Sequence, residues 1–464
     1  MKKTWLSMAA ITALTVVFVG CGGDDDTATN PQERLTDINT LAFSAIETPS
    51  TEAEKLVHQN TKSVTINGVE KSIDYSMIMA TGHADNGEIF GQSKDQNDNP
   101  ITFADGSPYI CNGTNDGVGS GLDFSSILQA NGKLYMVSQF ECQIGSMYKF
   151  ELNQDSSTGA LSAKAGTLEF ISQKDEFGGF VHCAGQATPW NSHLGSEEYE
   201  TDARWVEENA GADGTTGNVY YDETAKFFGG DATKLNPYFY GWTPEVKINN
   251  DGSAAYTKHY AMGRFSHELS FVMPDNKTVY MSDDGTNVGL FMFVADNEKD
   301  LSTGKLYAAK LAQTSAENGG AFNVSWIELA HLNDSTVRAE VAKMPKFSDL
   351  FDSVAPSGGS CEAGYSSINT SWGHECLKIK DGVDESTVAA LETRRYAAMK
   401  GATTEFRKEE GISYDPVHKK LYVAMSEISK GMQDDASSSY DIGGSNDIRL
   451  TQNKCGAIYE LSIN

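Results

Sequence analysis

Five short segments along the chain share one plan of polar and apolar positions. Each starts at a turn or a polar residue, passes through an apolar residue to a tyrosine, and then alternates. They are Gly132-Lys133-Leu134-Tyr135-Met136-Val137, Lys277-Thr278-Val279-Tyr280-Met281, Gly304-Lys305-Leu306-Tyr307, Lys420-Leu421-Tyr422-Val423-Ala424 and Gly456-Ala457-Ile458-Tyr459-Glu460-Leu461. Period-two alternation with β-branched and aromatic residues, entered from a turn, predicts β-strands. Recurrence over hundreds of residues favours radial repetition, a β-propeller, over a single sandwich. The irregular spacing requires insertions between blades, and residues 312–383, polar and irregular, are expected to form loops or one such insertion. A single helix is predicted from Glu385 to Lys400, capped by Asp384 and closed by Gly401, with Arg394, Arg395 and Lys400 toward its C-terminus to complement the dipole.

The N-terminus follows a different rule. Lys2-Lys3 and an apolar run lead to Phe18-Val19-Gly20-Cys21, which reads as a lipoprotein signal over residues 1–20, with lipidation of the Cys21 thiol. Residues 21–38 are polar and begin with Gly22-Gly23-Asp24-Asp25-Asp26, a composition that buries no core and predicts a flexible tether. The folded domain is then residues 39–464. This places the protein in a bacterial cell envelope, lipid-anchored at the outer membrane and facing the periplasm or the cell surface, with the lipid as its only membrane contact.

The formal net charge is −28, and loss of the two lysines within residues 1–20 takes it to −30. So acidic a chain excludes nucleic acid as a partner. It is compatible with a solvated surface or with carboxylates gathered around divalent cations. Besides Cys21 there are Cys111, Cys142, Cys183, Cys361, Cys376 and Cys455. Proximity makes Cys111–Cys142 and Cys361–Cys376 the simplest disulfides. Cys183 and Cys455 are left as partners or free thiols, and if Cys183 is a ligand, Cys455 should be an unpaired buried thiol.

Four acidic clusters follow apparent strands or turns. They are Glu141; Cys183 with Glu197-Glu198; Gly263-Arg264-Phe265-Ser266-His267-Glu268 with Asp283-Asp284; and Arg407-Lys408-Glu409-Glu410-Gly411. In a propeller, loops on one face converge on the central channel, so acids far apart in sequence can meet. A thiolate suits iron, zinc or copper, and clustered carboxylates suit calcium, magnesium or manganese. His182, His267 and His374 are read as polar contacts within strands or turns, and Trp190 and Trp242 as packing residues.

These segments together resemble the PhoX-type alkaline phosphatases. The resemblance rests on Cys183-Ala184-Gly185 through Thr188-Pro189-Trp190 and Glu197-Glu198, and on Tyr240-Gly241-Trp242 with Glu245-Val246. Gly263–Glu268, Tyr280–Asp284, Lys408-Glu409-Glu410-Gly411 and the closing segment 453–459 extend it in the same order. The resemblance implies an all-β, six-bladed β-propeller with loop and short helical insertions. Its channel would hold iron and calcium and hydrolyse phosphate monoesters by attack of a metal-bound oxygen, scavenging phosphate outside the cytoplasm, as a monomer acting on small phosphate esters. It implies Cys183 as the iron thiolate, Glu141, Glu197, Glu198, Glu268, Asp283, Asp284 and Glu410 as carboxylate ligands, and Lys408, or Arg407 if the register slips by one, as positive charge for the transition state. Two departures stand out: Gln139-Phe140 precedes Glu141 where the family has Asn-His, and Lys408-Glu409 stands for Arg-Pro. Lysine cannot bind phosphate bidentately as arginine does. Two further readings stay open: another calcium-dependent propeller hydrolase, lactonase- or phytase-like, and a non-catalytic calcium-binding surface propeller.

Overall fold

The structure is a computed structural model that describes residues 40–57, 59–113, 118–435 and 437–463. The signal-peptide and tether segments, with Cys21, lie outside the described residues. The chain divides into two compact units, Met1–Ser76 and Met77–Asn464. In the first, strands Leu41–Phe43, Ser63–Ile66 and Val69–Ser72 form an antiparallel sheet. Its hairpin turns at Asn67-Gly68, both at positive φ, the backbone that an Asn-Gly pair tolerates best.

The second unit is mostly β, built from successive antiparallel meanders with short helices between them. Gly119–Ala130, Lys133–Cys142 and Ser146–Gln154 pair in sequence, with Leu161–Ala163 and Glu169–Phe170 added to the last. A second sheet runs Gln186–Ala187, His193–Leu194, Thr243–Ile248, Ala254–His259. Between its second and third strands lie the helices Ala203–Asn209 and Val219–Glu223. A third sheet of five strands comprises His267–Val272, Thr278–Asp283, Phe291–Asn297, Asp300–Ser315 and Ala321–Asn333. Smaller three-stranded sheets follow: Phe351–Val354 with Gly373–Ile379 and Ser366–Thr370, then Glu409–Asp415 with Lys420–Met425 and Ala457–Ser462.

All five tyrosine segments lie on strands, but not one to a sheet. Thr278–Asp283 and Asp300–Ser315 share the third sheet, and Lys420–Met425 pairs directly with Ala457–Ser462, Leu421 opposite Leu461. Alternation encodes a strand with two unlike faces; it carries no information about which sheet the strand joins. Residues 312–383 are also more regular than expected. They include the end of a long hairpin, the helices Asp334–Val341 and Phe347–Leu350 and a three-stranded sheet. Ala321–Asn333 is exposed or half-exposed along most of its length, which is why its sequence reads as polar.

The single helix expected over residues 385–400 is two, Glu385–Leu391 and Thr393–Met399, broken at Glu392 (φ −127°, ψ 50°). Glu392 is drawn inward, accepting hydrogen bonds from the Tyr238 hydroxyl at 2.7 Å and Arg395 at 2.9 Å. The arginines expected to complement a helix end are instead buried. The main core gathers Trp242, Phe265, Phe291, Leu306, Leu377 and Leu391 from the second and third sheets, the small sheet and these helices.

Both sequence-adjacent disulfides are present, Cys111–Cys142 and Cys361–Cys376, and Cys183 is free. Cys455 is free but exposed, not buried as expected, because it follows a turn at Asn453 that leads into the outermost strand of its sheet. Cys111 and Cys142 are fully buried beside Phe90 and Phe140. Replacing both by alanine is expected to cost about 2–4 kcal/mol, chiefly by freeing the unfolded chain, measured as a lower urea midpoint with the m-value rising rather than falling.

Candidate metal centre

The side chains that converge in the second unit are placed by local irregularities in otherwise regular strands. Asp123 falls where the register slips between Leu122 and Ser125, opposite the strand that carries Glu141. Glu268 falls in the slip between His267 and Ser270, and Glu410 in the slip between Glu409 and Gly411. A β-bulge turns a side chain away from the regular alternation, and here three bulges on three sheets each supply one carboxylate. Cys183 and Glu198 come from loops tied together by the Glu198 N–H donating to the Val181 carbonyl at 2.9 Å. Val181, Tyr199 and Lys408 hold positive φ (37°, 49° and 51°). For a β-branched residue such as Val181 this is strain, of the kind found at functional sites.

Ligand atoms of Asp123, Glu141 and Cys183 lie within 4.8 Å of one another, as do those of Cys183, Glu198 and Glu268, and those of Glu268, Asp284 and Glu410. Cys183 and Glu268 link the three groups into one array of six carboxylates and a thiol. The Cys183 sulfur is 3.5 Å from Glu268 Oε1 and 3.8 Å from Asp123 Oδ2. Lys408 Nζ pairs with Asp284 at 2.8 Å and Glu410 at 3.0 Å. The Tyr199 hydroxyl donates to Asp284, and the Ser426 hydroxyl to Glu410 at 3.0 Å.

One lysine among six carboxylates leaves the array short of positive charge. Burial, then neighbouring acids, pushes Glu198 well above the carboxylate range. Burial also raises Glu268, to about 8, and raises Glu141, Asp123 and the Cys183 thiol. Asp284 goes the other way: burial opposes its charge, but hydrogen bonds from Glu198, Lys408 and Tyr199 hold it below the usual value. Partial burial opposes the charge of Lys408, yet Asp284 and Glu410 keep it above the ordinary lysine range. Cations are the chemical complement of such a donor set. The thiol suits a softer transition metal and the clustered oxygens suit hard divalent ions, so the residues fit a mixed centre.

Three expected site residues are engaged elsewhere. Glu197 points into the core, where it pairs with the fully buried Lys258 at 2.8 Å. It also accepts the N–H groups of Phe180, Gly241 and Trp242. Asp283 is gripped by Arg394 at 2.6 and 2.9 Å. Arg407 lines the adjoining cleft but is held by Glu427 and Thr286. Glu141, Cys183, Glu198, Glu268, Asp284, Glu410 and Lys408 are brought together. His182 contacts the Ser196 carbonyl, His267 contacts Thr243 and the Gly263 carbonyl, and His374 contacts Ser367. Glu409 is fully buried, and burial beside Asp283 raises it far above the carboxylate range.

Breaking the Glu197–Lys258 pair by Lys258→Met, which leaves a buried carboxylate unpaired, is expected to destabilise by about 3–5 kcal/mol. Adding Glu197→Gln should recover much of that loss in thermal melts.

Sequence reasoning missed Asp123 and Tyr199. Asp123 had a partial signal, its neighbourhood but not the direction it faces. Asn131-Gly132 is a two-residue hairpin turn with both φ positive, and counting back from it sets residues 121–123 beside Glu141. Tyr199 had none, since its role depends on Asp284, 85 residues away.

Beside the array opens a cleft of about 1210 Å³, bordered by Glu141 and Asp284 and by Ser120, Tyr199, Trp372 and Arg394. Fold and site define a mostly β protein with a thiol–carboxylate cluster that could hold metal ions at the edge of a large cleft. The family model "Alkaline phosphatase PhoX" matches residues 137–462, and the chain belongs to that family, whose members are metal-dependent phosphoric monoester hydrolases. Among solved structures, Pseudomonas fluorescens PhoX in complex with vanadate, a transition-state analogue, is similar at 16% identity and a TM-score of 0.46, over 80% of this chain and 68% of that one. A putative 6-phosphogluconolactonase from Bacteroides uniformis is similar at 12% identity and a TM-score of 0.20, over 70% of this chain and 85% of that one. No curated protein matches.

Proposed function

We propose that this chain hydrolyses small phosphate monoesters at the Cys183-centred array, as a monomer, with iron at the thiol end and calcium among the carboxylates. The observation that carries this reading is the convergence of one thiol and six carboxylates beside a cleft, in a member of a phosphatase family. Cys183, Asp123, Glu141 and Glu198 would hold the softer ion, and Glu268, Asp284 and Glu410 the harder ones. Bound there, the metals would neutralise phosphoryl oxygens and supply a nucleophile near neutral pH.

The chain's own part is positioning and charge. Lys408 pairs with Asp284 and Glu410, helps hold Asp284 ionised, and sets a positive charge beside that carboxylate at the cleft border, where the phosphoryl oxygens of the transition state can share it. Tyr199 and Ser426 orient two of those carboxylates. With lysine instead of arginine at this position, phosphate receives a point charge rather than a bidentate fork.

We further propose six propeller blades for the meander sheets, and a tether through lipid on Cys21 that sets the enzyme in the cell envelope, at the outer membrane. The test is elemental analysis of the purified mature protein together with phosphate release from an aryl monoester and from a diester. Iron, calcium and monoester turnover support the reading. Metal-loaded protein that turns over neither ester sinks it.

A further inference from the structure

The cleft has a wall that the metal chemistry does not use. Trp205, Tyr220 and Trp372 border the same cavity as Glu141 and Asp284, yet they come from three separate segments. Trp205 is on the helix Ala203–Asn209, Tyr220 on the helix Val219–Glu223, and Trp372 on the turn between Ser366–Thr370 and Gly373–Ile379. That turn is held in place. The Cys361–Cys376 disulfide pins one of its strands, the Arg394 guanidinium donates to Ser371 at 2.6 Å, and the guanidiniums of Arg394 and Arg395 lie 5.6 and 5.8 Å from the Trp372 ring. Tyr220 is 53% exposed. Neither its hydroxyl nor either indole N–H is among the hydrogen bonds that the described residues make with one another.

The charges on this side are already spent. Arg394 is neutralised by Asp283 and Glu200, and Arg407 by Glu427, while Glu200 and Asp202 also line the cavity. Among the described lining residues the wall therefore offers aromatic side chains and neutral donors, and its two cations, Arg394 and Arg407, are already paired with carboxylates rather than free for a second phosphate. Flat rings stack on such surfaces largely regardless of their substituents, and ligand sites are typically apolar walls with a few polar groups.

We infer that Trp205, Tyr220 and Trp372 form the leaving-group subsite, selecting monoesters of flat, aromatic, otherwise uncharged alcohols: purine nucleoside 5′-monophosphates and aryl phosphates. This inference rests on the phosphomonoesterase reading of the metal centre. It assigns selectivity against alkyl monoesters of equal charge, and against polyanionic esters.

The test compares kcat/KM of the metal-loaded protein for adenosine 5′-monophosphate and for glycerol phosphate. A ratio on the order of tenfold or more is expected from one stacked ring, and both Tyr220→Ala and Trp372→Leu should lower it. A wild-type ratio near one, or a ratio that neither substitution changes, overturns the subsite. If Trp372→Leu does not fold, the exposed Tyr220 position decides. Tryptophan fluorescence titrated with adenosine 5′-monophosphate separates this inference from the reading beneath it. Saturable binding weakened by Tyr220→Ala, without turnover of any monoester, keeps the subsite and removes the phosphatase. Absence of both binding and turnover removes the subsite.

Discussion

Cys183→Ser is expected to lower phosphomonoester turnover by two to three orders of magnitude, roughly the several kcal/mol that a metal ion contributes to such a transition state. Serine keeps the shape but has no thiolate to offer, so the variant should also retain less iron while its calcium stays closer to the wild-type level. The fold should survive, because Cys183 is in no disulfide and its sulfur's hydrogen-bond contacts among the described residues are with Asp123 and Glu268, two members of the same array. Circular dichroism and the urea midpoint check that point. An unchanged rate with unchanged metal content would take the thiol out of the centre.

The second large effect concerns metal removal and pH. Burial, together with Asp284, Glu410 and Asp123, pushes Glu268 up to about 8, with the Cys183 thiol partly opposing the shift; the ordinary value is 4.5. Glu198 is shifted in the same direction. Between those two values the stripped folded protein holds protons that the unfolded chain has released. The stability that these carboxylates contribute to the stripped protein is therefore fully present below 4.5 and is lost as pH rises through about 8.

Bound cations favour the ionised carboxylates and remove that penalty. The gap in Tm between calcium-loaded and stripped protein is thus expected to widen as pH rises across this window. Buried His182, His193 and His267, each pressed down to about 3 by burial, act in the opposite sense as pH falls below 6.5. They do so in both forms, so the difference isolates the carboxylate array. A gap that stays constant or narrows with rising pH would mean that these acids bind no cation.

Much of the site was legible because its residues sit in short motifs with fixed local surroundings. Cys183, Glu198, Glu268, Asp284 and Glu410 could each be named from a few neighbours, and the two disulfides from proximity. Local sequence could not say which member of an acidic pair faces the cleft. Glu197 and Glu198 read alike, but a buried lysine 61 positions away, Lys258, claims the first. Asp283 and Asp284 read alike until Arg394, from a distant helix, takes Asp283. Asp123 escaped notice because its place depends on a bulge, which alternation does not reveal.

By itself the sequence determined the strands, through their two-faced alternation, and the chemistry of the site, through its excess of acids around a thiol. It also carried the family, through the order of motifs. Only the tertiary structure decided which strands share a sheet, where the helix breaks, which carboxylates converge, and that an aromatic wall stands beside them. The physical reason is the same in each case. Alternation and motif spacing are set by neighbours along the chain, whereas sheet membership, the claims of Lys258 and Arg394 and the walls of a cleft are set by partners that only folding brings within reach.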